Sequence, residues 1–393
     1  MGGIARRKNL GVTYHDREKS FQGYTYLDPY FEQNRAYLIN NDGDVVHYWD
    51  LPGMFADWTE LLPNGHVLAP VRKNLKDGPK FPGFCGATIY EVDWDGNIVW
   101  EYEDDFQHHA VKRLDNGNTL VLRVVECPPD IAKQVQGGMP GSEDKQEKWK
   151  GYMWTDNIQE IDRDGNVVWE WNSYEHLDFD EDPICLLEER SEWSHGNNLE
   201  LFPNGDLLVA FRCIHQVCRI EKATGKIIWK WGRDKVHHMH NPYCLDNGNI
   251  LLFDNGMHIP DSYVCRSRLV EVDPRTNEIV WSYSSVPQTE FFSTFGGGVQ
   301  RLPNGNTLAC ETEAGRLFEI DADGNIVWEY MSPFYSLNQQ VGDDPRDLGH
   351  SPRIHRTRRF PNDYSAFEDR DLDPDKHKVI NKLFGSAALK GVN

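Results

Sequence analysis

The chain has 393 residues, of which 39% are hydrophobic and 12% are aromatic, so it can form several average domains or one large repeat architecture. Its formal net charge of −21 argues against binding to nucleic acids or anionic membrane surfaces, because both select a basic face. No apolar run approaches the ~18 residues that a transmembrane helix needs, so we expect no membrane partner.

The first 20 residues, "MGGIARRKNLGVTYHDREKS", contain no apolar segment typical of a secretory signal. The 8 cysteines are scattered without a Cys-x-x-Cys pair, which is typical of reduced core thiols. We therefore expect a cytoplasmic protein in which residues 1–20 form an N-terminal extension.

Two short phrases then alternate along the chain, and each carries the turn chemistry of a β-hairpin. In one phrase a turn precedes a Trp-rich strand, and in the other an Asn-Gly or Asp-Gly pair supplies the positive φ of a tight turn. The Trp-rich phrase occurs as "GDVVHYW" (43–49), "GNIVWEY" (96–102), "GNVVWEW" (165–171), "GKIIWKW" (225–231), "NEIVWSY" (277–283) and "GNIVWEY" (324–330). The hairpin phrase occurs as "LLPNGHVLA" (61–69), "RLDNGNTLV" (113–121), "LFPNGDLLV" (201–209), "CLDNGNILL" (244–252), "RLPNGNTLA" (301–309) and, degraded, "RFPNDYSAF" (359–367).

Each pair of phrases describes a four-stranded unit that cannot bury both faces alone, which is typical of a propeller blade. The chain begins with late strands of a blade, "AYLINNDGDVVHYW" (36–49), and ends with a first strand, "RIHRTRRFP" (353–361). The sequence therefore predicts an all-β, six-bladed β-propeller over residues 21–365, with one blade closed by N- and C-terminal strands. Insertions at 125–156 and 172–194 are expected to cover one mouth of the ring, and 366–393 to form a C-terminal tail.

The first strand of each blade lines the channel of a propeller, so one equivalent position in each blade indicates what faces the axis. Six residues before the Pro or Asp of each hairpin turn, five of the six positions are polar, where a structural core would place Val, Ile or Leu. The set is Asp57, His109, Asn197, His240, Gly297 and His355. His195 has the same strand parity as Asn197 and adds a fourth imidazole. We predict a shared polar pocket with His195, His240, His109 and His355 as candidate catalytic residues.

Further polar residues follow these hairpins and are suited to an anionic substrate. Arginine binds carboxylate, sulfate or phosphate in a bidentate manner. The candidate substrate-binding residues are Arg212, Asn255, Arg266, Arg356, Asp57 and Asn197.

The most specific combination of motifs is W-S-H-G-N in "EWSHGNNLELFPNGDLLVAFR", with F-R at its end, followed by H-N-P and F-D-N-G in "HNPYCLDNGNILLFDNG". With "QHHAVKRLDNGNTLVL" and "RLPNGNTLACETEAGRLFEID", these stretches resemble the arylsulfotransferase-like (aryl-sulfate sulfotransferase) β-propeller family over about residues 20–365.

The resemblance implies a propeller that moves a sulfuryl group between phenols through a sulfated histidine. It also implies that His195, Arg212, His240, Asn255 and Arg266 match family positions that bind the sulfuryl oxygens or the phenol. In the family the transfer histidine lies on the blade that reads "FFSTFGGGVQ" (291–300) here, which contains no histidine, and an aromatic residue is common where His355 stands.

Three functions remain open, all with a small-molecule substrate or partner. The first is an arylsulfotransferase-like enzyme that needs no cofactor, with a His as nucleophile or general base and Arg212 and Arg266 holding the anion. The second is a metal-dependent lyase, hydrolase or hydratase. Its tentative ligands to one divalent metal ion are His109, His240 and His355, with Asp57 or a water completing the shell and His195 as base or fourth ligand. The third is a non-catalytic propeller scaffold, which the polar channel positions argue against.

Overall fold

The computed structural model describes residues 9–29, 34–56, 58–72, 86–142, 153–260, 262, 264–334, 336–337 and 350–386. It confirms the predicted fold: the strands form six antiparallel sheets of four or five strands, the blades of a six-bladed β-propeller. By internal contacts the chain divides into two compact units, which are described separately below. Unit 1 comprises Met1–Val71, Tyr90–Val99 and Tyr283–Asn393, and unit 2 comprises Arg72–Ile89 and Trp100–Ser282.

Unit 2 contains three blades whose strands follow one another in chain order, as tight hairpins require. The first has β9 (Gln107–Arg113), β10 (Thr119–Glu126), β11 (Trp154–Ile161) and β12 (Val167–Asn172). The second has β13 (Gly196–Leu201), β14 (Leu207–Phe211), β15 (Gln216–Glu221) and β16 (Lys226–Trp231). The third has β17 (His240–Cys244), β18 (Ile250–Asp254), β19 (Arg268–Asp273) and β20 (Glu278–Tyr283). The first strand β13 contacts both β9 and β17, so the first strands of the three blades are neighbours.

Unit 1 contains the blade that joins the two ends of the chain. Its strand order is β27 (Ile354–Pro361), β2 (Gly23–Pro29), β3 (Arg35–Ile39) and β4 (Val45–Asp50). The adjacent sheet has β21 (Gly298–Arg301), β22 (Thr307–Glu311), β23 (Arg316–Ile320) and β24 (Ile326–Met331). The sequence did not indicate that β1 (Gly11–His15) pairs with β24 as a fifth strand of that sheet.

The remaining blade has β5 (Glu60–Leu61), β6 (Val67–Arg72), β7 (Ala87–Val92) and β8 (Ile98–Asp104), and its residues are divided between the two units. A two-stranded sheet pairs β25 (Ser336–Leu337) with β26 (His350–Ser351). The helices are α1 (Pro129–Ala132) and α2 (Lys378–Phe384). In α2, Asn381 bonds the backbone of Val45, so this part of the C-terminal segment packs on β4. No helix in the described ranges is both long and apolar enough to cross a membrane.

Tryptophans of the fourth strands connect neighbouring blades. The indole Nε1 of Trp100 donates to the Arg163 carbonyl, and that of Trp171 donates to the Gly225 carbonyl. In unit 1 the fully buried Trp328 donates to the Asn41 carbonyl at 2.8 Å. Each acceptor lies in the turn before the fourth strand of the next blade, so one side chain both fills the interface and fixes its register.

A buried ion pair supports the blade that closes the ring. The Arg359 guanidinium on β27 lies 2.6 Å from the Glu319 carboxylate on β23, and neither side chain is exposed. Arg359 also donates to Thr25 at 2.9 Å and stacks over Trp328. Because both charges are removed from water, the pair is stable only while each member keeps its partners.

We predict that Arg359→Ala lowers the free energy of unfolding by about 3–5 kcal/mol, because it leaves the Glu319 carboxylate buried and unpaired. Equilibrium urea unfolding measures the loss. The matched control is Arg275→Ala, which removes an arginine that is 74% exposed from its surface pair with Asp273 and should change stability far less. Equal losses in the two variants would contradict a role for Arg359 in ring closure.

A second prediction concerns His47 on β4, whose Nε2 lies 3.1 Å from the Trp94 carbonyl and whose ring stacks on Trp94. Burial lowers the pKa of His47 to about 4. The unfolded chain therefore binds more protons than the folded chain between about pH 6.5 and 4, and stability is lost as pH falls through that window. Between pH 7 and 5, His47→Gln should lose about 1 kcal/mol less than the parent protein in urea unfolding. Identical losses would contradict the assignment.

Candidate active site

The first strand of each blade in unit 2 is interrupted by a β-bulge near its start. In β9 three residues, 108–110, lie opposite the single Leu122 of β10. In β13 the extra residue is Asn197, and in β17 one extra residue lies between His240 and Tyr243. Bulges re-aim side chains and are frequent beside active sites. The regular alternation assumed from the sequence therefore does not hold where the candidate residues lie.

Left-handed backbone conformations accompany these bulges. Such conformations cost roughly 1 kcal/mol or more for a residue other than glycine, and they persist where the surrounding structure enforces them. In unit 2 they include five histidines, with φ between 51° and 59°, together with Ser194 and Asn241. The histidines are His109, His195, His215, His238 and His258. This concentration of strained residues indicates a functional site rather than a packed core.

The segment between β12 and β13 adds acidic groups to this region. Backbone hydrogen bonds hold this segment to the blades on both sides. The Cys185 amide donates to the Cys213 carbonyl, and the Trp193 amide donates to the Trp154 carbonyl, each at 2.8 Å. Trp193 is fully buried, and its indole donates to the Asp182 carbonyl. The anchoring fixes the positions of two carboxylates in the same segment, Glu188 and Glu192.

His195 and Glu192 form a close acid–histidine pair. Nδ1 of His195 lies 2.5 Å from Oε2 of Glu192, with 15% and 14% of the two side chains exposed. Because a carboxylate accepts the Nδ1 proton, the neutral ring has its lone pair on Nε2. Among the described residues, no hydrogen bond to that Nε2 is formed. The pair is therefore arranged like the base and its orienting carboxylate in a catalytic triad.

His109 packs against His195, with ring centroids 4.9 Å apart. Its Nδ1 lies 2.8 Å from Nδ1 of His108, whose Nε2 lies 3.1 Å from the buried Asp156 carboxylate. Asp156 also accepts bonds from the Gly196 amide at 2.7 Å and the Ser194 hydroxyl at 2.5 Å. In the tautomer that places the His108 proton on Nε2, towards Asp156, the His108 Nδ1 accepts from His109 and the lone pair of His109 lies on Nε2.

Arg212 lies opposite His195, since its amide donates to the His195 carbonyl at 3.0 Å. Its Nη2 is 3.7 Å from Glu188 and 3.8 Å from the Cys213 sulfur. Burial alone would lower the pKa of Arg212, but Cys213, Glu188 and Glu192 raise it, and the guanidinium stays charged. Its Nε is buried and has no hydrogen-bond partner among the described residues, so this donor is available to a bound anion.

His240 is held in one orientation by two acceptors. Its Nδ1 lies 2.9 Å from the His238 carbonyl and 2.7 Å from Oδ1 of Asn255, which fixes the proton on Nδ1. Asn197 donates to the Met239 carbonyl at 2.9 Å and is fully buried. Asn197 thus positions the chain next to His240. Arg266 lies in the loop after Asn255. Its carbonyl oxygen packs so closely on Gly256 that a Cβ built on Gly256 would lie 1.8 Å from that oxygen.

The other predicted residues belong to unit 1 or lie outside the described residues. His355 and Arg356 lie at a bulge in β27 opposite Asp28, and both side chains are buried. The Arg356 guanidinium lies over the Trp58 ring at 5.7 Å. Asp57 lies outside the described residues.

Sequence reasoning missed the residues that depend on the bulges and on the inserted segment. Glu188, Glu192, Cys213 and His258 have no repeat position, and His108 was not among the residues singled out from the sequence. One sequence signal was available. The run "EERSEW" (188–193) comes directly before "SHGNN" (194–198), which places Glu192 three residues before His195.

Two groups of side chains in the described parts of the chain have the spacing of metal ligands. They are Cys185, His238 and His258, and Glu192, His195 and Cys213, with ligand atoms within 4.8 Å of one another. Neither group contains His109, His240 or His355, so the structure adds no support to the metal site predicted from those three.

A family model described as "Arylsulfotransferase (ASST)" matches residues 59–332. No curated protein matches the chain significantly. Among solved structures, a Bacteroides caccae protein of unknown function is similar at 17% identity and a TM-score of 0.51, covering 86% of this chain and 98% of that one. A streptogramin B lyase has 12% identity and a TM-score of 0.46, and the match covers 90% of this chain and 94% of that one. A Staphylococcus aureus virginiamycin B lyase with quinupristin has 13% sequence identity and a TM-score of 0.44, and the match covers 84% of this chain and 90% of that one. At these identities the structural likeness shows the fold alone, whereas the family match spans most of the blades. The chain belongs to the arylsulfotransferase (ASST) family.

Proposed function

We propose that this protein transfers a sulfuryl group between small aromatic molecules, with His195 as the nucleophile. The observation that carries the proposal is the Glu192–His195 pair, which leaves the lone pair of His195 on Nε2. Arg212 is adjacent: its amide bonds the His195 carbonyl, and its guanidinium interacts electrostatically with Glu192. Family membership supplies the class of reaction, and the local geometry supports the choice of residues.

The transfer proceeds in two balanced steps. Nε2 of His195 attacks the sulfur of an aryl sulfate, an N–S bond forms, and the S–O bond to the aryl group breaks with release of a phenolate. An acceptor phenol then loses its proton, its oxygen attacks the same sulfur, and the N–S bond breaks to regenerate the imidazole. Glu192 stabilises the positive charge that develops on the ring, as a carboxylate does for a catalytic histidine. No cofactor is required.

Arg212 and His109 complete the proposed site. A planar guanidinium can bind two sulfuryl oxygens at once and stabilise the charge that grows on them in the transition state. The unpartnered Nε of Arg212 supports that role. His109, which packs on the His195 ring, can accept the proton of the acceptor phenol through Nε2.

The assignment to His195 also follows from the absence of histidine in residues 291–300, where the resemblance places the transfer residue. His240 is a less suitable nucleophile because it is 3% exposed, whereas the His195 side chain is 15% exposed. We assign His240, with Asn255 and Asn197, to positioning of the β17 bulge.

We predict that His195→Gln lowers kcat for transfer from an aryl sulfate to a phenol by at least about 10³-fold, because the nucleophile is removed. Glu192→Gln should lower kcat by about 10–10²-fold, and Arg212→Ala should lower kcat/KM by about 10²-fold or more. Stopped assays of phenolate release measure all three. The matched control is His176→Gln, which changes a histidine stacked on Trp171 outside the site. Full activity of His195→Gln would exclude the proposed nucleophile.

For His240 we expect a loss of both stability and turnover. His240→Ala removes the donor to Asn255 Oδ1 and leaves a buried acceptor unsatisfied, which should cost about 1–3 kcal/mol in urea unfolding. The double variant His240→Ala/Asn255→Ala removes both partners and should lose less than the sum of the single changes. Additive losses would show that the contact between the two side chains is energetically unimportant.

A further inference from the structure

A second cluster of side chains contacts Arg212 through Glu188, and none of its members is assigned a step in the proposed transfer. It combines three segments of unit 2: the stretch between β12 and β13, the approach to β17 and the exit from β18. Its members are Cys185, Glu188, His238 and His258. We propose that this cluster binds one divalent transition-metal ion of the zinc class, with Cys185, His238 and His258 as ligands and Glu188 as the fourth.

The spacing of three donors in the cluster suits a tetrahedral site. With Zn–N near 2.0–2.1 Å and Zn–S near 2.3 Å, a sulfur and a nitrogen ligand should be about 3.6 Å apart. The Cys185 sulfur lies 3.6 Å from Nδ1 of His258, and ligand atoms of Cys185, His238 and His258 all lie within 4.8 Å of one another. Oε1 of Glu188 borders this group, 2.9 Å from Nε2 of His238 and 3.9 Å from Nδ1 of His258, and can complete the shell by a small shift.

One polar atom of the cluster, Nε2 of His238, has no aligned hydrogen bond among the described residues. The Nε2 of His238 is buried, and its contact with Glu188 is not aligned as a hydrogen bond. A buried nitrogen in this state is rare in a native structure unless a ligand or ion completes it. A bound ion would complete this buried nitrogen.

The donor types in the cluster suit a cation of this class. Cys185 offers a sulfur, His238 and His258 offer imidazole nitrogens, and Glu188 offers a carboxylate. A soft sulfur with two imidazoles and one carboxylate selects zinc over magnesium or calcium.

The other spaced group, Glu192, His195 and Cys213, contains the proposed nucleophile and the carboxylate that orients it, so we do not assign it to a metal. In the proposed site the Glu188 carboxylate contacts both Arg212 and His238 and so lies at the boundary between guanidinium and metal. The ion would tie the acidic segment to the blade of β17–β20 and hold Glu188 near Arg212.

The test uses the full chain, purified without a histidine tag, stripped with a chelator and dialysed. Zn²⁺ alone is titrated in competition with a chromophoric chelator, and Co²⁺ is added separately. We expect about one Zn²⁺ per chain and, with Co²⁺, a thiolate charge-transfer band with the visible absorption of a tetrahedral ion. Cys185→Ser and His258→Gln should each weaken Zn²⁺ binding by about 100-fold or more, and Cys185→Ser should remove the charge-transfer band.

Two cysteine controls locate the site. Cys244→Ser changes a half-buried thiol that contacts the Leu245 carbonyl outside the cluster and should leave binding unchanged. Cys213→Ser should also retain the ion. The proposal is overturned if the stripped protein binds no Zn²⁺ above the level of Cys185→Ser, or if Cys213→Ser abolishes binding while Cys185→Ser keeps it. His258→Gln, at a position where 20% of the side chain is exposed, decides the question should Cys185→Ser fail to fold. None of these readouts depends on sulfuryl transfer.

Discussion

The candidate site depends on the bulges that interrupt β9, β13 and β17 near their starts. A regular strand directs alternate side chains to opposite faces, so it cannot direct neighbouring residues to one point. An extra residue breaks that alternation and turns the backbone. At these breaks in β9 and β13, His109 and His195 adopt left-handed backbone conformations, and their ring centroids lie 4.9 Å apart. Without the bulges, a six-bladed scaffold would present only isolated imidazoles at these strands.

The repeats and the inserted segments contribute different parts of the chemistry. The repeated strands supply bases and a cation: His109, His195, His240 and Arg212 all lie at the start or end of a hairpin. The segment between β12 and β13 supplies the carboxylates that orient and neutralise them, Glu188 and Glu192. Loops carried on a rigid scaffold commonly hold the functional groups of an enzyme. In this chain the loop is itself rigid, because Trp193 is buried and bonded to Asp182.

The fold was predictable because its signals are local and repeated. Asn-Gly and Asp-Gly turns, the tryptophans of the fourth strands and the split blade at the two ends all follow from short-range pattern. Five of the predicted residues, His109, His195, Arg212, His240 and Asn255, lie in unit 2 with the geometry described above. As site residues these five stay predictions, and so do Asp57, Asn197, Arg266, His355 and Arg356. The partners of His195 could not be predicted from register, since Glu192 has no repeat position. The Cys185, His238 and His258 cluster joins segments up to 73 residues apart, and its spacing resembles no linear metal motif.

The most direct test is to find which residue carries the sulfuryl group during turnover. The protein is mixed with an aryl sulfate in the absence of an acceptor phenol, quenched under conditions that preserve N-sulfated histidine, digested and mapped by mass spectrometry. We predict a mass increase of one sulfuryl group on the peptide that contains His195, and its loss when a phenol is added before the quench. Modification of another residue, or turnover with no modified peptide, would contradict His195 as the nucleophile.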